Sequence, residues 1–128
     1  MDTSAALASA LSYGRIAIGV GLVAAPAQVG GRWIGRAAAG RDAQIPIRGL
    51  GIRDIALGAA TLGSMKATGT NGKGFKVLTG LAIAVDLVDV ATTLTAGDDV
   101  PNAMTSAAVA GLAALTGAGV LALAGGDD

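Results

Sequence analysis

Long apolar stretches alternate with short polar connections along this chain. Four stretches are built mainly from aliphatic and small residues, and each has the ~20 residues that a helix needs to cross a bilayer core of about 30 Å. The stretches are too long for strands, and the connections are rich in Gly, Asp, Asn and Pro, which end helices and form turns. The pattern predicts four transmembrane helices, at residues 5–27, 46–67, 75–96 and 103–124.

The connection between the first two predicted helices differs from the others. It holds the only Trp of the chain, Trp33, between Arg32 and Arg36. Aromatic and cationic side chains of this kind are typical of a membrane–water interface. Pro46 suits the first turn of a helix, where its missing N–H would have no helical partner. We therefore expect a short interfacial segment, followed by a second helix that begins at Pro46.

The composition supports a membrane domain. The chain has 128 residues, of which 52% are hydrophobic and only 14% charged, whereas about 25% are charged in a soluble domain. With 21 glycines and 2% aromatic residues, we expect tight helix packing without a large aromatic-lined pocket. The predicted fold is a single all-α integral membrane domain over residues 1–128, a four-helix bundle with both termini on the same side.

The residue types that are missing exclude several kinds of chemistry. The chain has no Cys and no His, which excludes disulfides, Cys/His zinc sites, thiol nucleophiles and His-based triads. Nine basic residues balance nine acidic ones, so the positive field that nucleic-acid binding requires is lacking. We expect no metal, no cofactor and no nucleic acid. The expected partners are the lipid bilayer and either a second copy of the chain or a larger membrane complex.

Six charged residues lie inside the predicted helices, where each needs an ionic partner or a water-filled cavity. Asp86 and Asp89 share one face of the third helix, and Thr79 and Thr93 extend this face into a polar stripe. The three cations and three anions are predicted to form one network, made of Arg15, Arg48, Arg53, Asp54, Asp86 and Asp89.

Helical periodicity directs parts of this network toward a common core. Arg15 aligns with Ser12 and Gly19 on the first helix. Asp54 aligns with Gly58 on the second helix, so that polar groups of three helices can converge.

Three interpretations of the network remain open. In the first, the charges form a structural network of buried ion pairs whose remaining lone pairs accept hydrogen bonds from Thr hydroxyls, which the equal number of cations and anions favours. In the second, neighbouring carboxylates that cannot all ionise carry a proton or bind a cation. In the third, Asp86 or Asp89 is the proton donor of an embedded acid/base enzyme that acts on a lipid-like substrate.

Small residues spaced four apart allow helix backbones to approach closely in a membrane. The fourth predicted helix carries such a series, which either holds the bundle together or forms a homodimer face: Ala110, Ala114, Ala118 and Ala122.

One part of the sequence resembles a known family. Residues 48–58 read Arg-Gly-Leu-Gly-Ile-Arg-Asp-Ile-Ala-Leu-Gly, and Asp86-Leu87-Val88-Asp89 follows on the next helix. Together with the Arg-containing first helix that ends near a Pro, this resembles a family of small uncharacterised four-helix integral membrane proteins, a domain of unknown function that is distantly DoxX-like. The likeness runs from about residue 13 to residue 123. It implies a four-helix bundle and emphasises the charged residues of the second and third helices.

The sequence therefore predicts a small multi-pass protein of the cell membrane. We expect a non-catalytic accessory or assembling component with a buried Arg/Asp network. The alternative is a small proton- or cation-coupled carrier that uses the carboxylates of the third helix.

Overall fold

Helices account for nearly all of the chain that the structure describes. The computed structural model describes residues 2–97 and 102–125, and within these ranges helices are the only regular secondary structure, without strands. This confirms the predicted all-α class. The elements, in chain order, are α1 (Thr3–Ala24), α2 (Pro26–Ile34), a short 3₁₀-helix (Gly35–Ala39), α3 (Arg41–Thr68), α4 (Lys73–Ala96) and α5 (Ala103–Gly125).

The first helix ends earlier than expected because of a proline. Pro26 disfavours helical dihedral angles at the residue before it, and Ala25 indeed has φ −137° and ψ 63°. Pro26 then occupies the first position of α2, where a missing N–H costs nothing. The predicted interfacial segment is thus a helix of nine residues followed by the 3₁₀-helix.

The expected start of the second long helix at Pro46 is wrong. Helix α3 begins at Arg41, after Gly40, and Pro46 lies inside it. Gly40 is extended, with φ −69° and ψ 139°, and Asp42 in the first turn is stabilised by the positive end of the helix dipole. The helix therefore begins after Gly40, which occupies its N-cap, and not at Pro46. It lacks one backbone hydrogen bond at Pro46, because proline has no N–H.

Within residues 2–97 and 102–125, three helices are long and apolar enough to cross a membrane. These are α1, α4 and α5, with 22, 24 and 23 residues. Helix α3 is longer, at 28 residues, but Arg48, Arg53 and Asp54 make it more polar than the other three. By length and composition the structure thus supports three spans, where the sequence pattern predicts four.

The long helices pack as two pairs, α1 with α3 and α4 with α5. The first pair approaches at glycines. A Cβ atom added to Gly19 would lie 2.5 Å from the carbonyl oxygen of Gly51, and one added to Gly51 would lie 2.6 Å from that of Gly19. One added to Gly58 would lie 2.7 Å from the carbonyl oxygen of Ser12. Only glycine therefore allows these backbones to come so close.

The buried faces of α1 and α3 are the ones predicted from periodicity. Ser12 and Gly19 are buried on α1, and Asp54 and Gly58 are buried on α3. The alignment of polar and small residues in the sequence is therefore confirmed for this helix pair.

The packing face of α5 differs from the predicted series of alanines. Ala114 is buried and Ala110 half-buried, but Ala118 and Ala122 are exposed. The buried face instead includes Gly117, whose added Cβ would lie 2.9 Å from the Ile83 side chain. Steps of four residues turn about 40° further than a full helical turn. The alanine series consequently winds away from the interface.

Two apolar clusters lie toward opposite ends of the bundle. One contains Ala8, Phe75 and Val120, and the other contains Leu22 and Ile47 together with the 3₁₀-helix. On α1, Arg15 lies between Ala8, which belongs to the first cluster, and Leu22, which belongs to the second. The middle of the molecule is therefore left to polar and charged side chains.

Candidate functional site

Five charged side chains form a continuous chain of ion pairs in the middle of the bundle. Nη2 of Arg15 donates to Oδ2 of Asp86 at 2.7 Å, and its Nη1 donates to Oδ1 of Asp54 at 3.2 Å. Nη2 of Arg53 donates to the same Asp54 oxygen at 3.3 Å and to Oδ2 of Asp89 at 3.0 Å. Two guanidinium groups thus alternate with three carboxylates, and Asp54 joins the two halves.

One end of this ion-pair chain is more buried than the other. The side chains of Arg15, Asp54 and Asp86 are 13%, 12% and 8% exposed, whereas those of Arg53 and Asp89 are 30% and 23% exposed. The pairing of Arg15 therefore takes place in the lower dielectric, and Asp89 is the most accessible carboxylate.

The close contact of α1 and α3 positions the buried end. Asp54 lies between Gly51 and Gly58, the two glycines at which α3 touches α1. Because neither glycine has a side chain to hold the helices apart, the carboxylate of Asp54 comes within reach of Arg15. The long Arg15 side chain also reaches Asp86 on α4 and so links the two helix pairs.

The sequence predicts Arg48 as a member of the network, but in the structure Arg48 lies outside it. Its Nε donates to the backbone carbonyl oxygen of Val23 at 3.2 Å. That oxygen belongs to the last turn of α1, where carbonyls have no helical partner. Arg48 is six residues before Asp54, which places it about 120° away around the helix. The network consequently contains two cations and three anions and lacks the balance that the sequence suggests.

Thr79 and Thr93 are buried on the same face of α4 as Asp86, but their hydroxyls do not complete the network as expected. Thr93 accepts a hydrogen bond from Nε1 of Trp33 at 3.1 Å. The Thr79 hydroxyl has no hydrogen-bond partner among residues 2–97 and 102–125. It lines a small cavity of about 30 Å³ together with Arg15 and Asp86.

Sequence reasoning assigned Trp33 to the interfacial segment and missed its contact with α4. The bond to Thr93 ties α2 to the polar face of α4. The available signal is that a buried Trp requires an acceptor for its N–H, and Thr93 belongs to a predicted polar stripe. The contact between Trp33 and Thr93 depends on how α2 packs against α4, and the periodicity of the sequence does not determine that packing.

A cavity of about 760 Å³ lies beside the ion-pair chain. Its walls are mainly aliphatic, with Ile18 on α1 and Val109 on α5, and Trp33 is the aromatic residue of its lining. Helices α1 and α4 make few contacts with each other, and the Arg15–Asp86 ion pair links them beside this cavity. All three network carboxylates line the cavity.

No group of three or more acidic side chains is placed to hold a metal ion in the described part of the chain. Comparison with known proteins adds no assignment, since no protein-family model, curated protein or solved structure matches the chain. The resemblance to small DoxX-like membrane proteins therefore stays a prediction.

Proposed function

We propose that this chain is a small multi-pass protein of the cell membrane that acts as a non-catalytic accessory or assembling component. The observation that carries the proposal is the reversed polarity of its interior and surface. On α4, Thr79, Asp86 and Thr93 are buried, whereas Leu81 and Leu87 are 51% and 55% exposed. In water this arrangement would expose apolar area and bury polar groups, both at a cost. In lipid it is the favourable one.

The proposal includes α3 as a fourth crossing helix. Its 28 residues would extend about 42 Å, enough for a bilayer core. Its central charges are paired inside the protein, Arg53 with Asp89 and Asp54 with Arg15. Ile52 on its outer face is 61% exposed. The resemblance to four-helix membrane proteins agrees with this topology and is part of the proposal.

Membrane extraction and reporter fusions test the topology. We expect the chain to stay in the membrane pellet after an alkaline wash and to require detergent for release. Four crossing helices place both termini on the same side, whereas three place them on opposite sides. Reporters fused to each end should therefore give matching signals. Opposite signals would exclude α3 as a crossing helix, and release by the alkaline wash would refute the membrane assignment.

An accessory role is supported by the pairing within the network. Asp54, Asp86 and Asp89 each contact an Arg guanidinium, as expected of groups that hold helices together. We expect the protein, gently extracted from its native membrane, to migrate within a complex larger than its own homo-oligomer. Migration at the mass of the isolated chain would contradict an accessory role.

A small proton- or cation-coupled carrier is the second candidate. The observation that favours it is that Asp86 lines both the small cavity and the large one, so its carboxylate can be reached from two neighbouring cavities. In proteoliposomes a carrier would produce pH- or ion-dependent flux that Asp86→Asn abolishes. Absence of flux from the parent protein would rule this candidate out.

A further inference from the structure

The small cavity lies between an apolar cluster and the ion-pair chain. Ala8 and Phe75 belong to the same apolar cluster, and Ser12 and Thr79 follow them by four residues on α1 and α4. Four residues are about one helical turn, so Ser12 and Thr79 belong to the next layer of the bundle. Both line the cavity of about 30 Å³, and its hydroxyl groups therefore come from separate helices.

The hydroxyl of Thr79 is the polar group that requires an explanation. Thr79 is 6% exposed, and its Oγ1 has no hydrogen-bond partner among residues 2–97 and 102–125. A buried polar atom without a partner is costly, and most such atoms are bonded either to protein or to ordered water. The hydroxyls of Thr61 and Thr92 donate to a carbonyl four residues earlier in their own helix. Thr79 departs from this pattern and lines the cavity instead.

The walls of the cavity suit a small, neutral and polar occupant. Its volume of about 30 Å³ exceeds the roughly 10–15 Å³ that one water molecule needs. Its charged residues are Arg15 and Asp86, which pair with each other at 2.7 Å, so this lining offers no unpaired charge to an ion. The hydroxyls of Ser12 and Thr79 can each donate and accept a hydrogen bond. A buried water typically makes about three such bonds.

We propose that the small cavity binds an internal water molecule, which forms hydrogen bonds with the hydroxyls of Thr79 and Ser12 and with the Arg15–Asp86 pair. The water supplies the partner that Thr79 lacks among the described residues. It connects the polar face of α4 with α1 and extends the ion-pair chain toward the apolar cluster. Because the site lies inside the bundle, this inference does not depend on the membrane assignment.

Unfolding of the purified protein in mixed micelles tests the bond to Thr79. Thr79→Val replaces the hydroxyl by a methyl group of similar shape, and loss of a hydrogen bond to water should raise the equilibrium constant for unfolding about three- to tenfold. A hydroxyl without any partner predicts the opposite sign, because its removal would relieve an unpaired buried group. The control is Thr92→Val on the same helix, an exposed position outside both cavity linings, which should change the constant by about twofold or less.

A double-mutant cycle tests the bridge to Ser12. The hydroxyl of Thr79 does not bond to Ser12 directly, so energetic coupling between the two side chains requires a mediator. We expect Ser12→Ala to raise the unfolding constant less in the Thr79→Val background than in the parent, by a factor of about three or more. Additive effects of the two substitutions would overturn the bridge.

A crystal structure of the parent protein shows the occupant directly. We expect an ordered density peak about 3 Å from Oγ1 of Thr79, which stays in Thr79→Ser and is lost in Thr79→Val. Absence of the peak from the parent overturns the proposal, as does an unfolding constant that falls in Thr79→Val. Replacement of Na⁺ by choline should leave the stability unchanged. A dependence on Na⁺ that Thr79→Val removes would assign the cavity to a cation and would also overturn the proposal.

Discussion

Arg15 is the side chain whose removal should perturb the fold most. It pairs with Asp86 at 2.7 Å and with Asp54 at 3.2 Å, and all three side chains are at most 13% exposed. Replacing it by Met keeps an unbranched side chain as far as the position of Nε but leaves two buried carboxylates without their shared cation. One cation would then remain against three anions in the network.

The expected cost of Arg15→Met follows from this geometry. Breaking a buried pair by removing one partner typically costs about 3–5 kcal/mol, because an uncompensated charge stays buried. The double variant Arg15→Met with Asp86→Asn removes one of the orphaned charges and restores the original imbalance of one. It should therefore be more stable than the single variant, although it lacks more native groups.

Unfolding of the purified protein in mixed micelles, followed by circular dichroism, measures these free energies. Arg36→Met is the control, because Arg36 is exposed on the 3₁₀-helix, and it should change the stability by less than about 0.5 kcal/mol. A cost below about 1 kcal/mol for Arg15→Met would refute the reasoning. So would a double variant as unstable as the single one.

Three other substitutions have clear expected outcomes. Gly19→Ala should destabilise the protein by about 1–3 kcal/mol, because its Cβ would clash with a backbone carbonyl of α3; Gly14→Ala on the same helix, with open space around it, should be neutral or stabilising in the same unfolding assay. Trp33→Phe removes the hydrogen bond to Thr93 and should cost about 0.5–1.5 kcal/mol, with Trp33→Ala costing more. A hydrogen bond from a backbone N–H of α1 holds the pKa of Asp2 below its ordinary value of 3.8, so this cap should be intact above that value and be lost as the pH falls through the lowered pKa. The protection factor of the first-turn amides of α1, which is the exchange rate divided into the intrinsic rate at the same pH, measures the cap, and a protection factor that does not change with pH would contradict the assignment.

Local patterns were sufficient to locate the four long helices, apart from the end of α1 and the start of α3, and to align their polar residues. Asp54 and Gly58 are one helical turn apart, as are Ser12 and Arg15, so each pair shares a face wherever the helix packs. The requirement that charges within apolar helices find partners also follows from chemistry alone. For these reasons the sequence indicates which charges could meet.

Tertiary structure decided which of them do meet. Arg48 is close to Arg53 in sequence, yet it points about 120° away from Asp54 and bonds to the end of α1. That single departure changes a balanced set of charges into one with an excess carboxylate. Helix rotation and order set this result, and a periodic pattern does not contain them.

The sequence by itself determined that the chain is helical, largely apolar and charged within its helices, because these properties depend on neighbours along the chain. The glycine contact of α1 with α3, the position of Trp33 against α4 and the cavity between the two helix pairs depend on side chains far apart in sequence. Small residues at many positions offer several packing faces of similar quality. Only the mutual fit of the helices selects the face by which each helix packs. The same fit determines that Arg53 and Asp89 are the more exposed end of the ion-pair chain.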